Sequence, residues 1–374
     1  MYTVTACGHG LLQVSPKFRI FAAGHNLWTM FDQLSIHNFR GIRQSSIESL
    51  KNVNLFFGKN NCGKSTVLDA VFLICGQSNP ALPININVFR GYGKVSRKDL
   101  RMDFYQLDDR EPIRISASDG ESRDLEISVF ESGVEQVQLI DKPEESLSSQ
   151  VEKRFGFKMD YRVNGQPFSS QLEIVETDVN KAYTRIDNHY QERINCIYLS
   201  PKFDFFASIR GLVNIIQNKD ERFIIDALQL IEPQVVDFVF TGSDMLVDIG
   251  LQERIPVNLM GDGARKMVSI LTAIYNSKDG VVLIDEIDNG FHYSVMADLW
   301  RILLSASERN HTQVFATTHD LDSIRGLVKA AKDSKSEGIV SSYRLQKLPE
   351  GELKSYLFSV ENLDYAVEQE IEIR

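Results

Sequence analysis

Between Asn54 and Thr66 the chain reads N-L-F-F-G-K-N-N-C-G-K-S-T, an apolar run that gives way to Gly58, four residues, and Gly63-Lys64-Ser65. That spacing suits a phosphate. Glycines let successive backbone N–H groups turn inward on an anion, the helix that follows offers the positive end of its dipole, and Lys64 adds a point charge. Asn60, Asn61, Cys62, Gly63, Lys64, Ser65 and Thr66 are therefore the candidate phosphate-binding residues, and the Ser65 hydroxyl is a candidate Mg²⁺ ligand. A polar surface turn before an amphipathic helix has a similar composition, so the decision rests on chemistry elsewhere in the chain.

Val281-Val-Leu-Ile-Asp285-Glu286 is four apolar residues followed by two carboxylates, which puts Asp285 at the carboxyl end of a buried strand, where ligands bind in α/β sheets. Asp285 is then a candidate metal ligand alongside Ser65. Glu286 is a candidate for orienting or deprotonating a water that attacks a γ-phosphate. Phe315-Ala-Thr-Thr-His319-Asp320 sets a histidine just past another apolar strand, within reach of the same chemistry, although a histidine there is also a common structural residue. Leu259-Met-Gly261-Asp-Gly263-Ala-Arg265-Lys266 opens a helix whose apolar positions Met267, Ile270, Leu271 and Ile274 have helical spacing. Gly261 and Gly263 could approach a phosphate closely, or simply form a loop.

The elements that must hold these groups follow from periodicity. Leu34 to Ile42 alternates, Ser45 to Leu50 leads into a strand over Val53 to Phe57, and Thr66 to Leu73 is helical. Buried parallel strands are expected at Ile194 to Leu199, Val281 to Ile284 and Gln313 to Thr317, with a helix at Phe223 to Leu230 between them. From about 100 to 195 the period is two: Leu125, Ile127 and Val129 alternate, as do Phe157, Met159, Tyr161 and Val163 before an Asn164-Gly165 turn. The tail alternates around Tyr343 to Leu345 and Lys354 to Leu357 across Glu350-Gly351, and a helix over Glu361 to Ile371 closes it. The expected class is α/β, with a mixed or parallel core sheet and an antiparallel β-rich insert. Residues 1–29 read as an extension with Met30 a possible true start, 30–75 as the first part of the core, 76–193 as the insert, and 194–374 as the second part of the core.

The composition, 43% hydrophobic and 25% charged in 374 residues, is that of a soluble globular protein, and no apolar stretch approaches the roughly 20 residues that span a bilayer. A cytoplasmic location without membrane contact is the expectation. Four scattered cysteines without C-x-x-C spacing suggest neither a zinc site nor a disulfide framework. The net charge of −10 argues against a surface coated for nonspecific nucleic-acid binding, and residues 91–190, with 20 acidic and 14 basic side chains, are the poorest place to look for one.

Taken in order, the phosphate loop, insert, glycine-started helix, apolar-Asp-Glu strand and late histidine resemble ABC-type ATPase heads, most closely their RecF, SMC and OLD branch. L-S-I-H-N-F-R-G-I resembles that branch's first strand, and L-I-D-E-I-D-N-G-F-H and A-T-T-H-D resemble the OLD-like versions of the later motifs. The resemblance covers roughly residues 31–75 and 194–330. It implies a P-loop NTPase of ABC-head type that uses ATP and Mg²⁺, with Glu286 and His319 catalytic. It further implies a homodimer or higher oligomer formed through ATP, in which Gly261 and Gly263 touch the partner's γ-phosphate and Asp288 to Gly290 communicate between sites.

The chain departs from that pattern in two places. The serine of an LSGGQ-type signature is missing around Met260-Gly261, and the glutamine that usually contacts Mg²⁺ is unassigned, with Gln77 and Gln106 the guesses. OLD nucleases carry a TOPRIM domain after the ATPase, whereas residues 320–374 offer no acidic nuclease constellation. The resemblance then implies an ATPase that couples hydrolysis to DNA or a partner protein, with a separate nuclease or toxin effector, in a setting such as anti-phage defence. A nucleotide-gated sensor with negligible hydrolysis and a RecF-like DNA-repair ATPase are the alternatives. Cys62 invites a redox reading and His292 an inter-subunit one. Arg40, Arg43, Lys51 and Lys59 read as a solvated rim, with DNA or nucleotide phosphate as the other possibility.

Overall fold

The computed structural model describes residues 31–369 apart from 119, 137–149, 193, 202–204, 206–208 and 243; the expected extension over 1–29, Met30 and the last residues of the closing helix lie outside these. The strands are β1 Gln33–Phe39, β2 Ile42–Glu48, β3 Val53–Phe57, β4 Ile113–Ser118, β5 Ser122–Gln136, β6 Gln150–Val163, β7 Gln166–Val175, β8 Asp178–Ile186, β9 Cys196–Leu199, β10 Asp237–Phe240, β11 Met245–Asp248, β12 Ile255–Pro256, β13 Val281–Ile284, β14 Gln313–Thr318, β15 Val340–Lys347 and β16 Glu352–Phe358. The helices are α1 Lys64–Cys75, α2 Leu82–Phe89, α3 Arg97–Leu100, α4 Leu212–Gln217, α5 Glu221–Leu228, α6 Asp262–Asn276, α7 Met296–Asn310, α8 Leu321–Ser334 and α9 Val360–Glu368.

Thirteen of the strands form one sheet in the order β8-β7-β6-β5-β4-β1-β2-β16-β15-β3-β14-β13-β9, and β10-β11-β12 form a second, small sheet. The run β15-β3-β14-β13-β9 is parallel, and β1-β2 and β4 to β8 pair antiparallel. The chemistry of the runs explains the difference. β3, β13 and β14 are buried at every position, with Asn54, Gln313, Thr317 and Thr318 their polar residues, because the sheet is covered on both faces there, whereas β1, β2 and β4 alternate. The period-two strands expected as an insert continue the main sheet through the β1–β4 pairing of Ile36 with Ile115.

The sheet divides the core in two. Leu55, Phe57, Val282, Ile284 and Ala316 face α4 to α9, while Phe56, Leu283 and Phe315 face α1 and the inner side of the antiparallel wing. Trp300 of α7, fully buried, donates its indole N–H to the Ser323 carbonyl at 2.9 Å and ties α7 to α8. Asn164 and Gly165, with φ of 51° and 79°, make the β6–β7 hairpin turn, since both central positions of such a tight hairpin need positive φ.

Candidate nucleotide site

Register brings the chemistry to one end of the sheet. Thr318 of β14 pairs with Phe57 of β3, and Ile284 of β13 pairs with Ala316 of β14, so the phosphate loop, the Asp-Glu turn and His319 leave adjacent strands side by side. The loop between β3 and α1 runs through left-handed backbone at Gly58 (φ 141°), Asn61 (φ 63°) and Gly63 (φ 109°). A Cβ on Gly58 would lie 2.6 Å from the Leu345 carbonyl of the neighbouring strand, so only glycine fits. No side chain caps α1, and its first turn holds no acidic residue, which leaves its N-terminal N–H groups to an anion. Lys64 is 9% exposed and donates from Nζ to the carbonyls of Gly58 (2.8 Å) and Lys59 (3.0 Å), which holds its ammonium over the loop. Asn60 and Asn61 are exposed, Cys62 is buried, and Ser65 and Thr66 are half-buried.

Ser65 and Asp285, 220 residues apart, meet at 2.9 Å between Oγ and Oδ1. Thr317, fully buried, donates its hydroxyl to the same Asp285 oxygen at 2.6 Å and accepts from the Glu286 N–H at 2.8 Å. Glu286 has φ 52°, a left-handed conformation that costs a non-glycine residue about 1–3 kcal/mol and persists only where its surroundings fix it. Its carboxylate accepts no hydrogen bond among the described residues. Its carbonyl accepts from the Asn289 N–H at 3.0 Å and from the Lys266 ammonium. Burial pushes the Lys266 pKa down to about 8, against the pull of Asp288, Glu286 and Asp285. Asp288 accepts from the Thr318 hydroxyl at 2.5 Å, and its other oxygen stands 3.7 Å from Nδ1 of the half-exposed His319.

The two glycines of the α6 start differ. A Cβ on Gly263 would sit 2.7 Å from the Gly290 carbonyl, so close packing on the turn after Glu286 already demands glycine there. Gly261 has φ 94° and would present a Cβ to open space, and Leu259 just before it is strongly exposed. Asp288 is bonded to Thr318 of its own chain. Gln77 lies past the far end of α1, about 18 Å from the loop by helix length, and donates to Glu192 at 2.9 Å; Gln106 donates to the Tyr105 hydroxyl at 3.4 Å.

Sequence reasoning missed the groups behind the loop. Asp69, one helical turn after Ser65 and fully buried, accepts from Arg40, from Arg90 (3.1 and 2.6 Å) and from the Tyr198 hydroxyl (3.0 Å). Arg90 also donates to the Ser65 carbonyl at 3.1 Å. Burial raises the Asp69 pKa while Arg40 and Arg90 pull it back, and Tyr198 is pushed far above its ordinary value by burial and by Asp69 and Asp285. Arg40 is therefore no solvated rim: only 14% exposed, it also pairs with Asp103 and Asn87, because the β1–β2 turn folds it inward. Arg43 does stand at the rim, 51% exposed and 3.9 Å from Glu350. Cys62 is buried with its thiol pKa raised by that burial, which lowers the share of the thiolate a redox switch needs, and exposed His292 caps the short turn Tyr293–Val295. The signal for Asp69 and Lys266 was a charge in line with buried helix positions: Lys266 shares a face with Ile270, four residues on.

The Ser65 and Asp285 oxygens are the hard ligands Mg²⁺ takes, and too few to hold it without phosphate or water, while the uncapped start of α1 suits the phosphates themselves. Among the described residues no cluster of His, Cys, Asp and Glu has metal-cage spacing, and no helix is long and apolar enough to cross a membrane.

The chain is 23% identical over 375 residues to an ATP/GTP phosphatase of Helicobacter pylori, covering 91% of this chain and 99% of that protein. A shorter stretch of 44 residues, 12% of this chain and 20% of the other, is 46% identical to an uncharacterized protein of Methanocaldococcus jannaschii. Among solved structures, an Smc head bound to the C-winged helix domain of ScpA superposes with a TM-score of 0.51 at 13% identity, over 90% of this chain and 99% of that one, and shows the shared fold. The fold is thus an α/β P-loop NTPase fold resembling SMC heads, with a mixed central sheet. Residues 53–324, well over half of the sequence, match the family described as "AAA domain, putative AbiEii toxin, Type IV TA system", and the chain belongs to that family.

Proposed function

We propose that the protein is an Mg²⁺-dependent ATPase that dimerises through ATP and couples hydrolysis to recognition of DNA or a partner protein. The observation that carries this reading is the hydrogen-bonded set Ser65–Asp285–Thr317 beside the uncapped start of α1. In it Lys64 exchanges its loop carbonyls for the β and γ phosphates, with the backbone of Asn60 to Thr66 around them. Ser65 and Asp285 would hold Mg²⁺, which when bound neutralises charge on the phosphates. Glu286 orients and deprotonates the attacking water, and His319, steadied by Asp288, faces the γ-phosphate. The open surface at Gly261 supports a contact with a second copy's phosphates, whereas Gly263 supports it indirectly by shaping the turn.

Family membership and the relative's phosphatase name support ATP or GTP as substrate, and a defence setting with a separate nuclease or toxin effector is the biological context proposed with it. The division proposed is a core at 30–75 and 194–374 that supplies the nucleotide-binding groups and an insert at 76–193 whose Arg90 reaches back to the Ser65 carbonyl. Phosphate release, nucleotide binding and mass in solution test the whole reading. Lys64→Ala abolishes nucleotide binding; Glu286→Gln retains ATP, stops turnover and accumulates the dimer. Normal turnover by Glu286→Gln sinks the catalytic assignment, and tight ATP binding with no phosphate release from the parent, with or without DNA, replaces it by a nucleotide-gated sensor.

A further inference from the structure

Lys266 is a buried ammonium that makes no salt bridge among the described residues, although Asp285, Glu286 and Asp288 surround it. It donates instead to a main-chain carbonyl, that of Glu286. Placing a cation out of water for one carbonyl is costly unless the contact fixes something. What it fixes is visible from the other side of the same residue. The Glu286 N–H is held by the Thr317 hydroxyl at 2.8 Å, and the next N–H, of Ile287, by the Thr317 carbonyl at 2.9 Å. Glu286 is thus gripped at both ends of its backbone in the one left-handed conformation that turns its side chain off the end of β13.

We propose that Lys266 is a positioning residue for the water-activating Glu286: it clamps the Glu286 carbonyl and thereby links the start of α6, with Gly261, to the Asp-Glu turn. This rests on the ATPase reading above. The link gives the nucleotide site a route from one catalytic turn to the surface where a second copy is expected. Gly263 lies against Gly290 at the other end of that turn, so any shift of the α6 start moves the turn at two points.

The test uses the full chain and Lys266→Met, which keeps the length of the side chain and removes the donor, with Lys266→Arg as the variant that restores one. Lys266→Met is expected to leave nucleotide affinity within about three-fold of the parent while turnover falls about 100-fold, the scale of a small misplacement at a reacting centre. Added to Glu286→Gln, it is expected to cost nothing more, because both changes act on one group. Lys266→Arg recovers part of the rate. Independently of turnover, deuterium uptake over residues 285–289 rises in Lys266→Met with the melting temperature of the rest of the chain unchanged. A rate indifferent to Glu286→Gln would overturn the catalytic assignment of Glu286 but leave the exchange result to judge the clamp. Unchanged exchange at 285–289, or a rate loss that multiplies with that of Glu286→Gln, overturns the clamp itself.

Discussion

Asp69→Ala is the substitution that most directly tests whether the phosphate loop is braced from behind. The carboxylate is fully buried and holds two guanidinium groups and a phenol, so its removal strands three donors at once. They do not count equally. Arg90 is 37% exposed and can turn to water, so its share is discounted as for a surface pair, roughly 0–1 kcal/mol. Arg40 is 14% exposed but keeps Asp103 at 3.1 Å and Asn87 at 2.7 Å, so it loses one charged partner of its set rather than all. That loss and the orphaned Tyr198 hydroxyl each cost about 1–2 kcal/mol. The sum is about 3 kcal/mol, at the low edge of what removing one member of a buried ion pair costs. At an unfolding entropy of roughly 2.1 cal/mol/K for each of the 374 residues, a thermal scan of the apo protein should then show a fall of about 4 °C. Because Arg90 also holds the Ser65 carbonyl, nucleotide affinity should drop with stability, and Arg90→Ala should reproduce much of the affinity loss with little of the thermal one. A melting temperature within about 2 °C of the parent for Asp69→Ala would mean that Asp69 is neutral in the fold and that the two arginines are held by something else.

Three further outcomes follow from the geometry. Gly263→Ala drives a Cβ to 2.7 Å from the Gly290 carbonyl and should cost about 1–3 kcal/mol and most of the turnover, while Gly261→Ala, strained but unobstructed, should cost about 1 kcal/mol in thermal unfolding. Thr317→Val leaves the Glu286 N–H without its partner and takes one of two donors, the other being Ser65, from Asp285 Oδ1 at constant volume, so stability should fall by about 1–3 kcal/mol in denaturant titration, with Thr317→Ser close to the parent. Burial holds the Cys62 thiol pKa above its ordinary value, so less thiolate is present at neutral pH than on a free cysteine; iodoacetamide at pH 7 should label it at least about ten-fold more slowly than a peptide thiol, and rapid labelling would reopen a redox role.

How much of this was legible in the sequence depends on how far each signal reaches along the chain. The loop at Gly58 to Thr66 was legible because its geometry is local: φ of 141°, 63° and 109° within six residues needs glycine and asparagine there, and the sequence has them. The strands expected at Val281 to Ile284 and Gln313 to Thr317 were legible because burial on both faces writes short apolar runs, Val281 to Ile284 and Val314 to Ala316, and the second strand extends one residue further, to Thr318. The hairpins of the wing were legible as hairpins, since their pairing is between neighbours in sequence. That β4 joins β1, so that the wing continues the main sheet, was not, because no local pattern says which edge a strand will meet.

The groups that brace the site were illegible for the same reason, and their illegibility has a physical cause. Arg40 and Tyr198 reach Asp69 from 29 and 129 residues away, and a basic residue in the polar turn of a hairpin carries the same local signal whether it faces water or a buried acid. What distinguishes the two cases is the converging edge of the sheet. There the carboxyl ends of β13 and β14 carry Asp285, Glu286 and Asp320, and the start of α1 beside them must stay uncapped for an anion. A carboxylate buried at Asp69 beside that opening is tolerable only if cations are folded in to meet it. Arg40 and Arg90 are therefore consequences of the phosphate loop, and a chain that kept the loop while losing both would have to replace Asp69 as well.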